Sequence, residues 1–200
     1  MSPATKKTKK AKKAKKAPLL SARFPARLFA RAAKIAVCGF DSDGTLTDRG
    51  MFHDSEGRDL RRFDVRDGIA MKWAAERGLG IVVISGRASR ALDFRMEDLG
   101  LPVFQSVKDK VQVLDAFARE RGASAAQVAF LGDDLPDLAA LRWCGLPMAV
   151  ADAHPEIKRA AAWVTPSPGG RGAVREALEA LLDASGRWAD VLAHYRGGKR

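Results

Sequence analysis

The sequence predicts an α/β protein: one doubly wound parallel sheet covered by helices, carrying a β-hairpin flap and no cap domain. Three observations lead there. Short, continuously apolar runs at 35–40, 81–84, 128–131 and 148–150 read as strands buried on both faces. Longer amphipathic stretches lie between or after them, near 68–78, 88–99, 108–121, 135–143 and 171–184, and such alternation marks βαβ units. The 200 residues, 46% hydrophobic, suffice for one core without disulfide staples.

In chain order, KKTKKAKKAKKA at 6–17 is low-complexity and has no apolar surface to bury, so residues 1–19 are expected to form a disordered lysine-rich tail. Residues 1–40 hold nine Lys and three Arg with no acid, whereas the remainder carries 23 basic and 24 acidic residues. The net charge of +11 therefore belongs to the amino-terminal segment, and the body is close to neutral. Two readings of the tail stand: contact with nucleic acid or another anionic surface, or a solvated extension. No aromatic residue is interleaved to stack on bases.

LSARFPARLFARAAK at 20–34 repeats Arg every fourth residue, with Phe24, Leu28 and Ala32 beside them. This spacing predicts a helix packed on the domain. It runs directly into the first strand, which argues against a cleaved transit peptide. Beyond that strand, residues 45–68 break the rhythm: Asp54-Ser-Glu-Gly57 reads as a turn between two mixed arms, giving a flap over about 45–64. The main domain is expected over 20–185, followed by a carboxyl-terminal tail over 186–200. Cys38 and Cys144 have neither disulfide-framework nor metal spacing and read as reduced core thiols. His53, His154 and His194 show no metal spacing either, and the four Trp read as core or interface residues. No run of about 18 apolar residues and no secretory h-region occurs, which predicts a cytoplasmic protein.

Polar signals fall at the ends of successive strands: Asp41-Ser-Asp43-Gly44, then Ser85-Gly86-Arg87, then Lys110, then Gly132-Asp133-Asp134-Leu-Pro-Asp137. In a doubly wound sheet ligands sit beyond the carboxyl ends of the strands. Asp41, Asp43 and Asp133 converging there would repel by roughly 4 kcal/mol per pair at about 4 Å and an effective dielectric near 20. Such a cluster needs a cation or protons. Oxygen-only ligands suit a hard ion such as magnesium, and Lys110 with the Ser85 hydroxyl would hold an anion. One acid can then act as nucleophile toward phosphorus and the other as acid/base.

The order DxDGTLTD, SGR, an isolated Lys and GDDxxD resembles the haloacid dehalogenase superfamily, a Rossmann-like fold. FDVRDG (63–68), ISGR (84–87), GDDLPDL (132–138), AVADAHPEIK (149–158) and GGRGAVRE (169–176) resemble more narrowly the 3-deoxy-D-manno-octulosonate 8-phosphate phosphatase family. The resemblance implies a magnesium-dependent phosphatase of lipopolysaccharide precursor synthesis that works through an aspartyl-phosphate. It implies Asp41 as nucleophile and metal ligand, Asp43 as acid/base and metal ligand through its carbonyl, and Asp133 as third ligand. Ser85 and Lys110 would hold the phosphate, and Asp134 and Asp137 would support the metal shell. Arg66, Asp67, Gly68, Arg87 and Arg95 would lie near the sugar acid.

Three positions depart from the family pattern: Ser42 between the two acids, Asp64 in FDVRDG, and Lys72 in place of an arginine. The gaps from Asp43 to Ser85 and from Ser85 to Lys110 hold 41 and 24 residues, too few for a cap with its own core. The resemblance therefore implies a homotetramer with shared active sites, in which the hairpin drives assembly and PGGRGAVRE (168–176) with the tail after Leu182 helps cover a neighbour. The blander reading of GGRGAVRE is a turn leading into the last helix. Two other functions stand beside the first: hydrolysis of another acidic sugar phosphate, such as a nonulosonic acid phosphate, and a non-catalytic polyanion-binding scaffold.

Overall fold

A computed structural model describes residues 24–197. The lysine-rich tail and the start of the first predicted helix lie outside the described residues. Six parallel strands form one sheet: β1 (Val37–Phe40), β4 (Gly80–Ile84), β5 (Val103–Phe104), β6 (Val128–Gly132), β7 (Leu146–Ala149) and β8 (Trp163–Val164). Their spatial order is β5-β4-β1-β6-β7-β8, so the chain winds one way from β1 to β5 and the other way from β6 to β8. The reversal falls between β1 and β6, which pair in the register Phe40↔Leu131. Every residue of β1 and β6 is buried, as strands covered on both faces require.

The helices are α1 (Phe29–Ala32), α2 (Val65–Glu76), α3 (Arg90–Leu99), α4 (Lys110–Arg119), α5 (Leu138–Trp143), α6 (Pro155–Ala160), α7 (Ala173–Ala184) and α8 (Trp188–Tyr195). One group joins α7 to α1, α2 and α8, and another joins α5 to α4 and α6. Helix starts follow local capping chemistry. Asp64 accepts from the Arg66 N–H, Ser89 from Leu92, and Asp109 from Val111 and Gln112. His154, expected in a loop, caps α6 through Nδ1, with Pro155 at the first helical position.

The flap is a short antiparallel hairpin of β2 (Phe52–His53) and β3 (Asp59–Leu60). Its turn closes where Asp54 Oδ1 accepts from the N–H groups of Glu56 and Arg58. The amino-terminal helix is shorter than its Arg spacing predicts, because Pro25 delays it to a 3-10 turn at Ala26–Leu28 followed by α1. Phe24, Leu28 and Ala32 are nonetheless buried, with Phe24 edge-on to Trp163 at 4.9 Å. Two helices had no clear sequence signal: α6, and α8 within the stretch read as a tail. Trp188 and Tyr195 of α8 pack edge-on against Trp73 of α2, whose indole N–H donates to the Tyr195 hydroxyl at 3.0 Å.

Candidate active site

The site forms where the winding reverses, the position a doubly wound sheet leaves open at the ends of two diverging connections. Asp41 follows β1, and its N–H still donates to the Leu131 carbonyl of β6 at 3.0 Å. Asp133 follows β6 and Ser85 follows β4. Lys110 opens α4 and reaches inward, its ammonium 2.5 Å from Asp41 Oδ1 and 2.6 Å from Asp137 Oδ1. Asp137 closes a 3-10 turn over Leu135–Asp137, and its second oxygen accepts the Asp133 N–H at 2.9 Å. That turn presses on Gly132, where a Cβ would lie 2.5 Å from the Asp137 carboxylate.

Asp41, Lys110, Asp133 and Asp137 are all buried, so the charge balance among them is felt at low dielectric. Burial and the neighbouring Asp137 raise the proton affinity of Asp41, against the pull of Lys110. Burial pushes Asp133 up to about 6. Burial also works against the Lys110 charge, but Asp41 and Asp137 outweigh it and raise its proton affinity. Three carboxylates against the Lys110 ammonium and the Arg49 guanidinium still leave negative charge that a cation would offset. Asp41, Asp133 and Asp137 each present an oxygen, all within 4.8 Å of one another, and this oxygen-only donor set fits magnesium. Asp137 uses one oxygen on Lys110 and the other on the Asp133 backbone, consistent with a supporting role; Asp134 instead caps the turn by accepting from Leu135.

The Asp43 carboxylate is not among those three oxygen donors. It pairs with Arg61, whose side chain is buried and also holds Asp59 Oδ2 at 3.0 Å. Burial and the adjacent Arg87 lower the proton affinity of Arg61. Sequence reasoning missed Arg61, which pairs within the flap and with the acid at its base, and Arg49, whose partners lie 84 and 103 residues along the chain. Arg49 donates to Asp133 Oδ2 at 2.9 Å and to Asp152 Oδ2 at 2.8 Å. For Arg49, its place directly after LTD was the available signal.

Ser85 is buried, and its Oγ accepts the Arg87 N–H at 3.2 Å. Arg87 itself is exposed beside the flap, with Nη1 on Met51 Sδ. Arg66 is exposed but tied to Asp64, at 2.8 Å from Oδ2. Asp67 is buried: its two oxygens accept the N–H groups of Gly172 and Arg175, capping α7 from another helix. Gly68 leaves room for Arg95, whose Nη2 would stand 2.1 Å from a Cβ there. Asp67 and Gly68 thus shape the scaffold behind Arg66, and Arg95 packs over α2 while pairing with Asp98.

The GGRG segment closes on its own chain. A Cβ at Gly169 would fall 1.7 Å from the Gly44 carbonyl, and the Gly170 N–H donates to the Thr45 carbonyl at 2.9 Å. Gly44, at φ 104°, in turn lies against Asp133, where a Cβ would come within 2.0 Å of Oδ2. Arg171 and Arg62 flank Asp48, and Arg62 donates to the Gly170 carbonyl at 2.7 Å. The turn reading of GGRG therefore describes this conformation, and the loop builds the wall of the site of its own subunit.

This fold and acidic site define a haloacid dehalogenase-like hydrolase, and that family's sequence pattern matches residues 94–178. The 3-deoxy-D-manno-octulosonate 8-phosphate phosphatase of Haemophilus influenzae is 38% identical over 148 residues, covering 74% of this chain and 82% of that protein. The Escherichia coli K12 phosphatase of the same name is 34% identical, over 81% of this chain and 87% of the relative. A crystal structure of the Moraxella catarrhalis phosphatase, in complex with magnesium, phosphate and KDO, superimposes with a TM-score of 0.81 at 30% identity, covering 84% of this chain and 98% of that one. The chain belongs to the 3-deoxy-D-manno-octulosonate 8-phosphate phosphatase family.

Proposed function

We infer that this chain is a magnesium-dependent phosphatase that hydrolyses 3-deoxy-D-manno-octulosonate 8-phosphate to the free sugar acid and inorganic phosphate. The observation that carries the reading is the buried Asp41–Lys110–Asp137 contact beside Asp133, at the reversal point of the sheet. Asp41 and Asp133, with the Asp43 carbonyl, would hold the metal. When bound, magnesium offsets charge on the phosphoryl group and keeps the Asp41 carboxylate ionised.

A carboxylate oxygen of Asp41 attacks phosphorus; the P–O bond to the sugar breaks, and Asp43 gives its proton to the leaving oxygen. Asp43 then takes a proton from water, whose oxygen attacks the aspartyl-phosphate and releases phosphate with Asp41 restored. Lys110 and the Ser85 hydroxyl steady the phosphoryl oxygens, and Arg61 holds Asp43 in place between the two steps. Arg66 and Arg87, exposed at the rim, offer guanidinium groups to the sugar carboxylate, with Asp67, Gly68 and Arg95 holding the helix that carries Arg66.

Assembly into a homotetramer belongs to the same reading. It is supported by the open site and by the apolar Phe52 and Leu60, which the flap leaves exposed. The test of function is phosphate release, with magnesium, from a panel of sugar acid phosphates. The octulosonate 8-phosphate should lead in kcat/KM by about tenfold or more. A nonulosonic acid phosphate turned over faster would move the assignment to that substrate.

A further inference from the structure

Arg49 is the one charged side chain that reaches from the flap base to a carboxylate of the metal cluster among the described residues, and its backbone is unusual for a side chain of this size. It sits at φ 67°, the left-handed region that favours glycine, so an arginine there costs stability that its contacts must offset. Those contacts are specific. Nε donates to Asp133 Oδ2 at 2.9 Å, Nη1 to Asp152 Oδ2 at 2.8 Å, and Nη2 to the Asp152 carbonyl at 2.9 Å. Asp152 is fixed in turn, since its other oxygen accepts the Gly169 N–H at 3.0 Å. One guanidinium therefore spans the flap base, a buried acid of the cluster and the loop after β7.

We propose that Arg49 is a positioning residue and a resident counter-cation: it holds Asp133 while the metal is absent and opposes magnesium binding once the metal competes for the same carboxylate. This rests on Asp133 being a magnesium ligand, as inferred above. The physical reason is charge. Without metal, Lys110 pairs with Asp41 and Asp137, and Arg49 supplies a second positive group, on Asp133, against the repulsion of the three acids. With a divalent ion on Asp133, the carboxylate's charge is already met, and the guanidinium stands a few ångströms from a like charge.

The contact is thus stronger in the metal-free protein than in the loaded one. By thermodynamic reciprocity Arg49 weakens magnesium binding by the same factor that magnesium weakens the Arg49–Asp133 pair. Arg49 would set how much free magnesium is needed to fill the site, while keeping Asp133 ordered until it arrives.

The experiment measures magnesium affinity by titration calorimetry on full-length, metal-free protein without substrate, comparing wild type with Arg49→Gly and Arg49→Gln. Glycine suits the left-handed backbone, so that variant should fold at least as well as wild type; glutamine keeps a polar side chain without the charge. Both should bind magnesium about 5-fold or more tightly, and both should show a larger rise in Tm on adding magnesium. Affinity unchanged or weakened in either folded variant overturns the proposal. Wild type that binds no magnesium would instead overturn the metal centre itself.

Discussion

At the scale of single residues, Ser42 is the departure from the family pattern that the structure makes most concrete. Its carbonyl is used fully, accepting from Thr45, Leu46 and Thr47 to shape the turn after Asp41. Its hydroxyl is buried with no hydrogen-bond partner, as is that of Thr45. An unpaired buried hydroxyl costs about 1–3 kcal/mol of desolvation. Ser42→Ala should therefore raise stability to urea by about 1 kcal/mol and leave turnover unchanged, and a drop in stability would show that the hydroxyl is paired in solution. The acids and the lysine of the site were legible in the sequence because each sits beside a strand end or a helix cap, where local pattern fixes position. Arg49 was not, because Asp133 and Asp152 lie across the fold, and neither was Arg61, because the turn of the flap rather than any periodicity brings it to Asp43 and Asp59.

At the scale of elements, the four strands with continuous apolar runs were legible, while β5 and β8 were too short to separate from loop. Helices α2, α3, α4, α5 and α7 lie close to where amphipathic spacing put them. The missing relation was between α2 and α7: Asp67, expected near substrate, spends both oxygens on the start of α7. Burial pushes its carboxyl up to about 6, against the backbone N–H groups that favour the charged form. Unfolded, the same group ionises near 3.9, so between those pH values the folded chain holds more proton and the contribution of Asp67 to stability falls as pH rises. The fall should total at most about 3 kcal/mol from pH 4 to 6 and be missing in Asp67→Asn. Urea unfolding of both proteins across that range checks it: parallel curves would mean that the carboxyl is not perturbed. The departure at Asp64 is also an element-level device, since it caps α2 and draws Arg66 back toward the helix start.

At the scale of the whole molecule, the two ends of the sheet differ in kind. The carboxyl ends of the strands carry the acidic site, whereas Arg27, Arg31 and Lys34 border a cavity of about 430 Å³ with Ala126 and Gly145, which precede β6 and β7. Arg27, Arg31 and Lys34 thus place part of the positive charge read from the sequence on the folded body, at the end away from the acidic site. Among the described residues no helix is long and apolar enough to cross a membrane. The doubly wound architecture was legible because burial on both faces leaves a continuous apolar signature. The flap was legible as a hairpin but not in its use, since a two-residue ladder with Phe52 63% exposed is too small to hold itself by a core of its own. If subunits assemble through the flap, Phe52→Asp should shift sedimentation to smaller species while each chain stays folded. An unchanged assembly would place the contact elsewhere.

In the reaction proposed above, Asp41 attacks the phosphoryl group. The most direct test of this step is the rate of phosphate release from 3-deoxy-D-manno-octulosonate 8-phosphate, with magnesium, by wild type and by Asp41→Asn. The amide keeps the shape of the carboxylate but has lost the nucleophile, so turnover should fall by about a thousandfold or more. Equal rates in the two proteins would rule out Asp41 as the nucleophile.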